Sequence, residues 1–321
     1  MQNLTIINLD AKTLGGADLS ELKSYGNYIE YPTTTYQQTY ERAKQADIIL
    51  TNKVVLDKPI LESLPNLKLI CVTATGTNII DIDYATLRGI KVKNVAGYST
   101  LSVAQHTLTL ALDFLSQIHY YDSYVKSGAW CKSDIFTHLG IGRAGLAGKR
   151  WGIIGFGSIG QRVAHLVKAF DAQVCYTSTS GKNDNPNAKR VKLDELLREC
   201  DIISIHAPLN PATKNLIDSS KLSLLKSGAI LLNLGRGGIV SEEAVAKALK
   251  NGADFYYGTD VLESEPMREN HPFLDSALIS GGELSHRLLI TPHIAWAYGD
   301  SLKELVALSI KNVIDFVKNG E

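Results

Sequence analysis

Arg236 in NLGRGGIV, Glu265 in DVLESEP and His293 in TPHIAWA are the residues of this chain whose types can do chemistry together. A guanidinium is permanently charged and grips a carboxylate through two parallel hydrogen bonds. An imidazole exchanges a proton near neutral pH without large tuning. A carboxylate beside it fixes its orientation and favours its protonated form. The three together are what a site needs to hold an anionic 2-oxo acid and protonate its carbonyl. Each sits at the end of a short apolar run, where a parallel strand would deliver it to the crevice at the carboxyl edge of a sheet.

A second constellation lies upstream. Gly155, Gly157 and Gly160 form GxGxxG directly after the apolar WGII and directly before the amphipathic QRVAHLVKAF. In that strand-to-helix context the first glycine allows the tight turn, the second lets backbone approach a pyrophosphate, and the third allows close helix–strand packing. The start of the helix adds unpaired N–H groups and a partial positive charge for the phosphates. The acidic residue expected about 20 residues further on, which accepts the adenosine ribose hydroxyls of NAD, is missing. VCYTSTSGK offers Ser178, Thr179 and Lys182 instead. Without the carboxylate a 2′-phosphate is not repelled, so the reading favours NADP over NAD as cofactor.

The elements that must position these residues follow from length and periodicity. With 321 residues, two cores are expected. Lys+Arg 33 against Asp+Glu 33 gives no global field to attract nucleic acid or an anionic membrane. No apolar stretch approaches the length needed to span a bilayer. MQNLTIINLD lacks the features of a targeting segment, and Cys71, Cys131, Cys175 and Cys200 are scattered without metal or redox spacing. These features predict a cytoplasmic protein with reduced thiols, no metal, and small molecules or its own copies as partners. Strand-like runs LTIINL, AKQADIILT, LKLICVTAT and KVKNV alternate with helical ones up to about Val95, which implies a parallel sheet. A helix is expected from Thr100 to about Gln117, then a less regular aromatic-rich arm. Six further runs from WGII to LLITPHI match a doubly wound dinucleotide-binding sheet. A last helix spans about Ser301 to Asn319.

Taken with GTNIID, YSTLSVAQH, GIIGFGSIG, SIHAPLNPATKNLI, NLGRGGIV, DVLESEP and TPHIA, the chain resembles the D-isomer-specific 2-hydroxyacid dehydrogenases over nearly its whole length. TNKVVLD, NVAGYST and HIAWA most resemble the glycerate dehydrogenases, or hydroxypyruvate reductases. The resemblance implies a Rossmann cofactor domain, residues 100–295, inserted into a flavodoxin-like substrate domain formed by residues 1–99 and 296–321, with the site between them. It implies that Arg236 clamps the substrate carboxylate, that His293 is the general acid in reduction, and that Glu265 orients it. Asp260 would contact the nicotinamide amide. Ser158, Ile159, Ala207, Pro208, Thr213, Leu234 and Gly235 would line the cofactor, and His206 would shape its pocket. Thr75 and Gly76, in VTATGTN, would receive the substrate carboxylate on backbone N–H groups, and Lys53 would add a charge nearby. His106 and His286 carry no assigned role.

The helix from Thr100 and the arm after it resemble the family's dimer-forming region, so a homodimer is expected. The expected activity is NAD(P)-dependent interconversion of a small 2-oxo acid, hydroxypyruvate or glyoxylate, and its D-2-hydroxy acid. The alternatives are a D-lactate-type or broader 2-oxo acid reductase, and a dinucleotide-sensing, corepressor-like binding protein.

Overall fold

The computed structural model describes residues 4–181, 184–279, 281–282 and 284–319. The chain folds as two units: one comprises the residues up to Ser99 together with those from Ala297 on, the other Thr100–Trp296.

In the first unit β1 (Thr5–Asn8), β2 (Asn27–Glu30), β3 (Ile48–Thr51), β4 (Leu69–Val72) and β5 (Lys91–Asn94) form one sheet in the order β2-β1-β3-β4-β5. Every pairing is parallel, and the order is the flavodoxin-like one. The crossovers carry α1 (Tyr36–Ala43), α2 (Lys58–Glu62) and α3 (Ile82–Leu87). β3 and β4 are buried at every residue, as strands covered on both faces must be. β2 escaped the sequence reading. It is an edge strand with NYIE largely exposed, so it carries neither the alternation nor the apolar run that marks a strand.

The second unit opens with α4 (Thr100–Ser116) and α5 (Ile118–Lys126). Its sheet contains β6 (Arg150–Ile154), β7 (Gln173–Thr177), β8 (Lys189–Arg190), β9 (Ile202–Ile205), β10 (Ala229–Asn233), β11 (Phe255–Thr259) and β12 (Leu288–Ile290). The order is β12-β11-β10-β9-β6-β7-β8, parallel throughout. Helices α6 (Ser158–Lys168), α7 (Leu193–Glu199), α8 (Ser219–Leu222) and α9 (Glu242–Lys250) complete a Rossmann unit. Seven strands replace the six expected, because β8 is a two-residue exposed edge strand. Cys175 and Cys200, far apart in sequence, meet here as buried thiols with sulfurs 3.4 Å apart.

The closing helix α10 (Gly299–Asn319) belongs to the first unit. Cys71 Sγ on β4 donates to the Ser309 carbonyl at 3.6 Å, and Asn312 Nδ2 donates to the Asn94 carbonyl at 3.2 Å. No helix among the described residues is long and apolar enough to cross a membrane.

Candidate active site

β10, β11 and β12 lie side by side in register, so Asn233, Thr259 and Ile290 form one row across their carboxyl ends. Arg236, Glu265 and His293 follow that row within a few residues. Glu265 Oε2 lies 2.7 Å from His293 Nδ1, and Glu265 Oε1 accepts the Leu262 N–H at 2.9 Å. The carboxylate is therefore fixed from two sides. Its hold on Nδ1 leaves Nε2 as the ring nitrogen for any other work. Both side chains are partly open, at 25% for His293 and 30% for Glu265.

His293 has φ +54°, in the left-handed region. Asp260 imposes this. Its Oδ1 accepts from Thr291 Oγ1 at 2.6 Å and from the Ile294 N–H at 2.9 Å, while Oδ2 accepts the Ala295 N–H at 2.9 Å. One buried carboxylate thus pins the chain on both sides of His293. Sequence reasoning assigned Asp260 to a nicotinamide contact and did not find this anchoring work. It also gave no role to His106, which is buried on α4 with Nε2 3.0 Å from Thr291 Oγ1. Burial holds the His106 pKa below its ordinary value, against the pull of the Asp260 charge. The available signal was its place among the apolar positions of that helix.

Arg236 rides on a turn braced by Asn233, whose Oδ1 accepts the Gly235 N–H at 3.2 Å and whose Nδ2 donates to the Arg236 carbonyl at 3.0 Å. Arg236 Nη1 donates to the Gly235 carbonyl at 2.8 Å. The next residue leaves no room: a Cβ on Gly237 would come within 2.0 Å of the Leu262 carbonyl carbon. The turn bearing Arg236 and the segment leading to Glu265 are therefore packed backbone against backbone.

The glycine turn lies where strand order reverses between β6 and β9. Gly155 has φ +90°, donates its N–H to the Thr177 carbonyl at 3.0 Å, and would thrust a Cβ to 2.8 Å from the Ala207 nitrogen. A Cβ on Gly160 would meet the Gly155 oxygen at 2.4 Å, whereas one on Gly157 would meet nothing within 4 Å. Space is thus closed toward the protein at two glycines and open at the third, the one that opens α6 ahead of Ser158 and Ile159. That cradle fits a pyrophosphate against the helix start. His206 borders it with both ring nitrogens buried and without a hydrogen-bond partner among the described residues, though the residue as a whole keeps some exposure. Burial pushes its pKa down to about 3, so the imidazole is neutral.

Other candidate cofactor residues serve the cradle's walls. Thr213 Oγ1 donates to the Pro208 carbonyl at 2.7 Å and accepts the Asn210 N–H at 2.8 Å, which folds the loop after Ala207. Leu234 is buried, and a Cβ on Gly235 would lie 2.8 Å from the Ala207 oxygen. Ser178 and Thr179 are half-buried just past the end of β7 in place of an acidic residue, while Asp184 lies 3.5 Å from the Tyr176 hydroxyl and lines one cavity with Thr177 and Arg190. Arg190 on β8 pairs with Tyr176, and its Nη2 would lie 4.0 Å from a Cβ on Gly181. Lys182 lies outside the described residues. No group of three or more His, Cys, Asp or Glu among the described residues would hold a metal ion.

Within the first unit, Lys53 and Thr75 follow the paired ends of β3 and β4, Thr51 and Val72. The Lys53 and Asn52 N–H groups both donate to the buried Asp10 carboxylate, at 2.7 and 2.9 Å to their nearer oxygens. Asp10, another residue the sequence did not single out, fixes the loop carrying Lys53; burial raises its pKa against these hydrogen bonds. Thr75 Oγ1 donates to the Val95 carbonyl at 3.0 Å, and Asn94 Nδ2 donates to the Thr75 carbonyl at 2.6 Å. Gly76 follows, half-buried.

The profile of the D-isomer specific 2-hydroxyacid dehydrogenase NAD binding domain matches residues 108–295. This chain belongs to that family. Among curated members, a hydroxypyruvate reductase of Blautia hydrogenotrophica is 32% identical over 325 residues, covering 99% of this chain and 98% of that protein. A glycerate dehydrogenase of Methylorubrum extorquens is 34% identical, covering 97% and 96%. Among solved structures, the D-lactate dehydrogenase of Aquifex aeolicus complexed with NAD and lactic acid superimposes with a TM-score of 0.84 at 27% identity, covering 98% and 95% of the two chains. The glycine cradle lies within the stretch that matches that NAD binding domain.

Proposed function

We propose that the protein reduces hydroxypyruvate or glyoxylate to the D-2-hydroxy acid with NADPH in preference to NADH. The observation carrying this reading is the 2.7 Å Glu265–His293 pair, on the same strand-end row as the turn of Arg236. When bound, a nicotinamide dinucleotide supplies the hydride. His293 Nε2 gives its proton to the carbonyl oxygen, while Glu265, held by the Leu262 N–H, keeps Nδ1 engaged and stabilises the protonated ring. Arg236 holds the substrate carboxylate and offsets negative charge that develops on the carbonyl oxygen. Lys53, Thr75 and Gly76 are the further residues assigned to the substrate, and the glycine cradle is assigned to the dinucleotide.

The cofactor preference is supported by Ser178 and Thr179 at the end of β7, where a carboxylate would repel a 2′-phosphate, and by the cationic Arg190 beside the same loop. The similarity to a D-lactate dehydrogenase favours pyruvate as the competing substrate. We also propose a cytoplasmic homodimer. Steady-state assays crossing NADH and NADPH with hydroxypyruvate, glyoxylate and pyruvate test the reading. It predicts the highest kcat/KM for NADPH with hydroxypyruvate or glyoxylate. Higher values with pyruvate overturn the substrate assignment, and no oxidation with any 2-oxo acid overturns the enzymatic reading.

A further inference from the structure

The segment from β11 to Glu265 is gripped a second time, from a direction unrelated to His293. Glu242 stands at the first turn of α9, the helix that follows the Arg236 turn, and its side chain is 11% exposed. Glu242 Oε1 accepts the Glu263 N–H at 2.7 Å, and Oε2 lies 2.8 Å from His271 Nε2. His271 is itself buried, and its Nδ1 accepts the Phe273 N–H at 3.2 Å. A nitrogen that accepts carries no proton, so His271 bears its hydrogen on Nε2 and donates it to Glu242. Two donors converge on Glu242, one per oxygen, and only a carboxylate accepts both without a clash of hydrogens. The Glu263 N–H it holds is next in the chain to the Leu262 N–H that fixes Glu265 Oε1.

From this geometry we infer that the buried Glu242–His271 pair is a positioning device, setting the backbone at Leu262–Glu263 so that Glu265 meets His293 at hydrogen-bonding distance. The inference rests on the proposed role of Glu265 and His293. Glu242 and His271 touch neither substrate nor cofactor in it. They act through Glu265.

The tests are Glu242→Gln and two replacements of His271, made in the full-length protein. Gln at 242 has one acceptor oxygen for two donors. Asn at 271 can keep the Nδ1-like acceptor for Phe273 but does not reach Glu242, whereas Gln at 271 restores a donor near the Nε2 position. Glu242→Gln should lower kcat by about tenfold or more, the scale on which small misplacements of catalytic groups act. The dissociation constant of NADPH, read by fluorescence titration, should stay within about twofold of the parent. His271→Asn should match Glu242→Gln, and His271→Gln should recover most of the parent kcat. In a Glu265→Gln background, Glu242→Gln should cause little further loss, because residues acting through one another are not additive.

A parent-like kcat in Glu242→Gln while Glu265→Gln is impaired overturns this inference alone. So does a full multiplicative loss in the double variant, or a His271→Gln protein as impaired as His271→Asn. If Glu242→Gln does not fold, the two His271 variants decide. Unimpaired turnover in both His293→Ala and Glu265→Gln would instead overturn the reading on which the inference stands.

Discussion

His293 and Glu265 act as a unit in the proposed mechanism, and their replacement should separate chemistry from binding. His293→Ala should lower kcat by roughly two or more powers of ten, the usual contribution of a general acid. Glu265→Gln should do less harm, since the amide still bonds to the imidazole but cannot stabilise its charge. NADPH affinity, measured by fluorescence titration, should change little in either; near-normal turnover in His293→Ala removes it as proton donor. At the other end of the dinucleotide, Ser178→Asp sets a like charge against a 2′-phosphate, and Arg190→Leu removes a cation from the same neighbourhood. Each should weaken NADPH relative to NADH, on the order of 1–3 kcal/mol for the first and less for the exposed arginine. Specificity constants for both cofactors decide the matter, and a ratio unmoved by both changes would show that this loop does not set the choice.

At the scale of elements, the glycine turn gives a contrast. Gly160→Ala drives a methyl into the Gly155 carbonyl and should destabilise the fold, whereas Gly157→Ala meets open space and should unfold like the parent. If the space at Gly157 belongs to the pyrophosphate, that second variant should still bind dinucleotide more weakly. Equal affinity with unchanged stability would sink the cradle assignment. What the sequence made legible follows the same division. GxGxxG, the buried apolar strands and the motif-borne Arg236, Glu265 and His293 announce themselves because each has a local pattern. The edge strands β2 and β8 do not, being largely exposed. Nor do Asp260, His106 and Asp10, whose work is to hold backbone amides or hydroxyls distant in sequence. A buried polar residue reveals its task only when the fold brings its donors to it.

At the scale of the whole molecule, surface and pH response are the accessible consequences. The arm after α4 exposes Ile118, Trp130, Ile135, Phe136 and Leu139, with Phe136 89% open. A second copy covering this face would account for so much exposed apolar surface. Sedimentation should therefore report a dimer that Phe136→Asp weakens, and a parent sedimenting as a monomer would rule the assembly out. His206 and His106 are held neutral by burial, so the unfolded chain binds more protons than the folded one as pH falls below about 6.5. The stability His206 contributes is complete above that value and is lost toward pH 3, and the contribution of His106 has the same sign. His206 alone accounts for up to about 1.4 kcal/mol per pH unit in that window. Urea midpoints should fall between pH 7.5 and pH 5.5, and less steeply in His206→Asn. The raised carboxyl of Asp10 acts with the opposite sign, its ionisation opposing folding as pH rises through its folded-state pKa.

The left-handed backbone of His293 ties its chemistry to that stability. An L-residue there carries roughly 1–2 kcal/mol of steric cost that glycine escapes, less about 0.5–1 kcal/mol for glycine's greater freedom when unfolded. His293→Gly should therefore melt higher than His293→Ala, with both inactive by the same loss of imidazole. Screening a library for thermostability alone would drift this position toward glycine, and only a screen for turnover would hold the histidine in place.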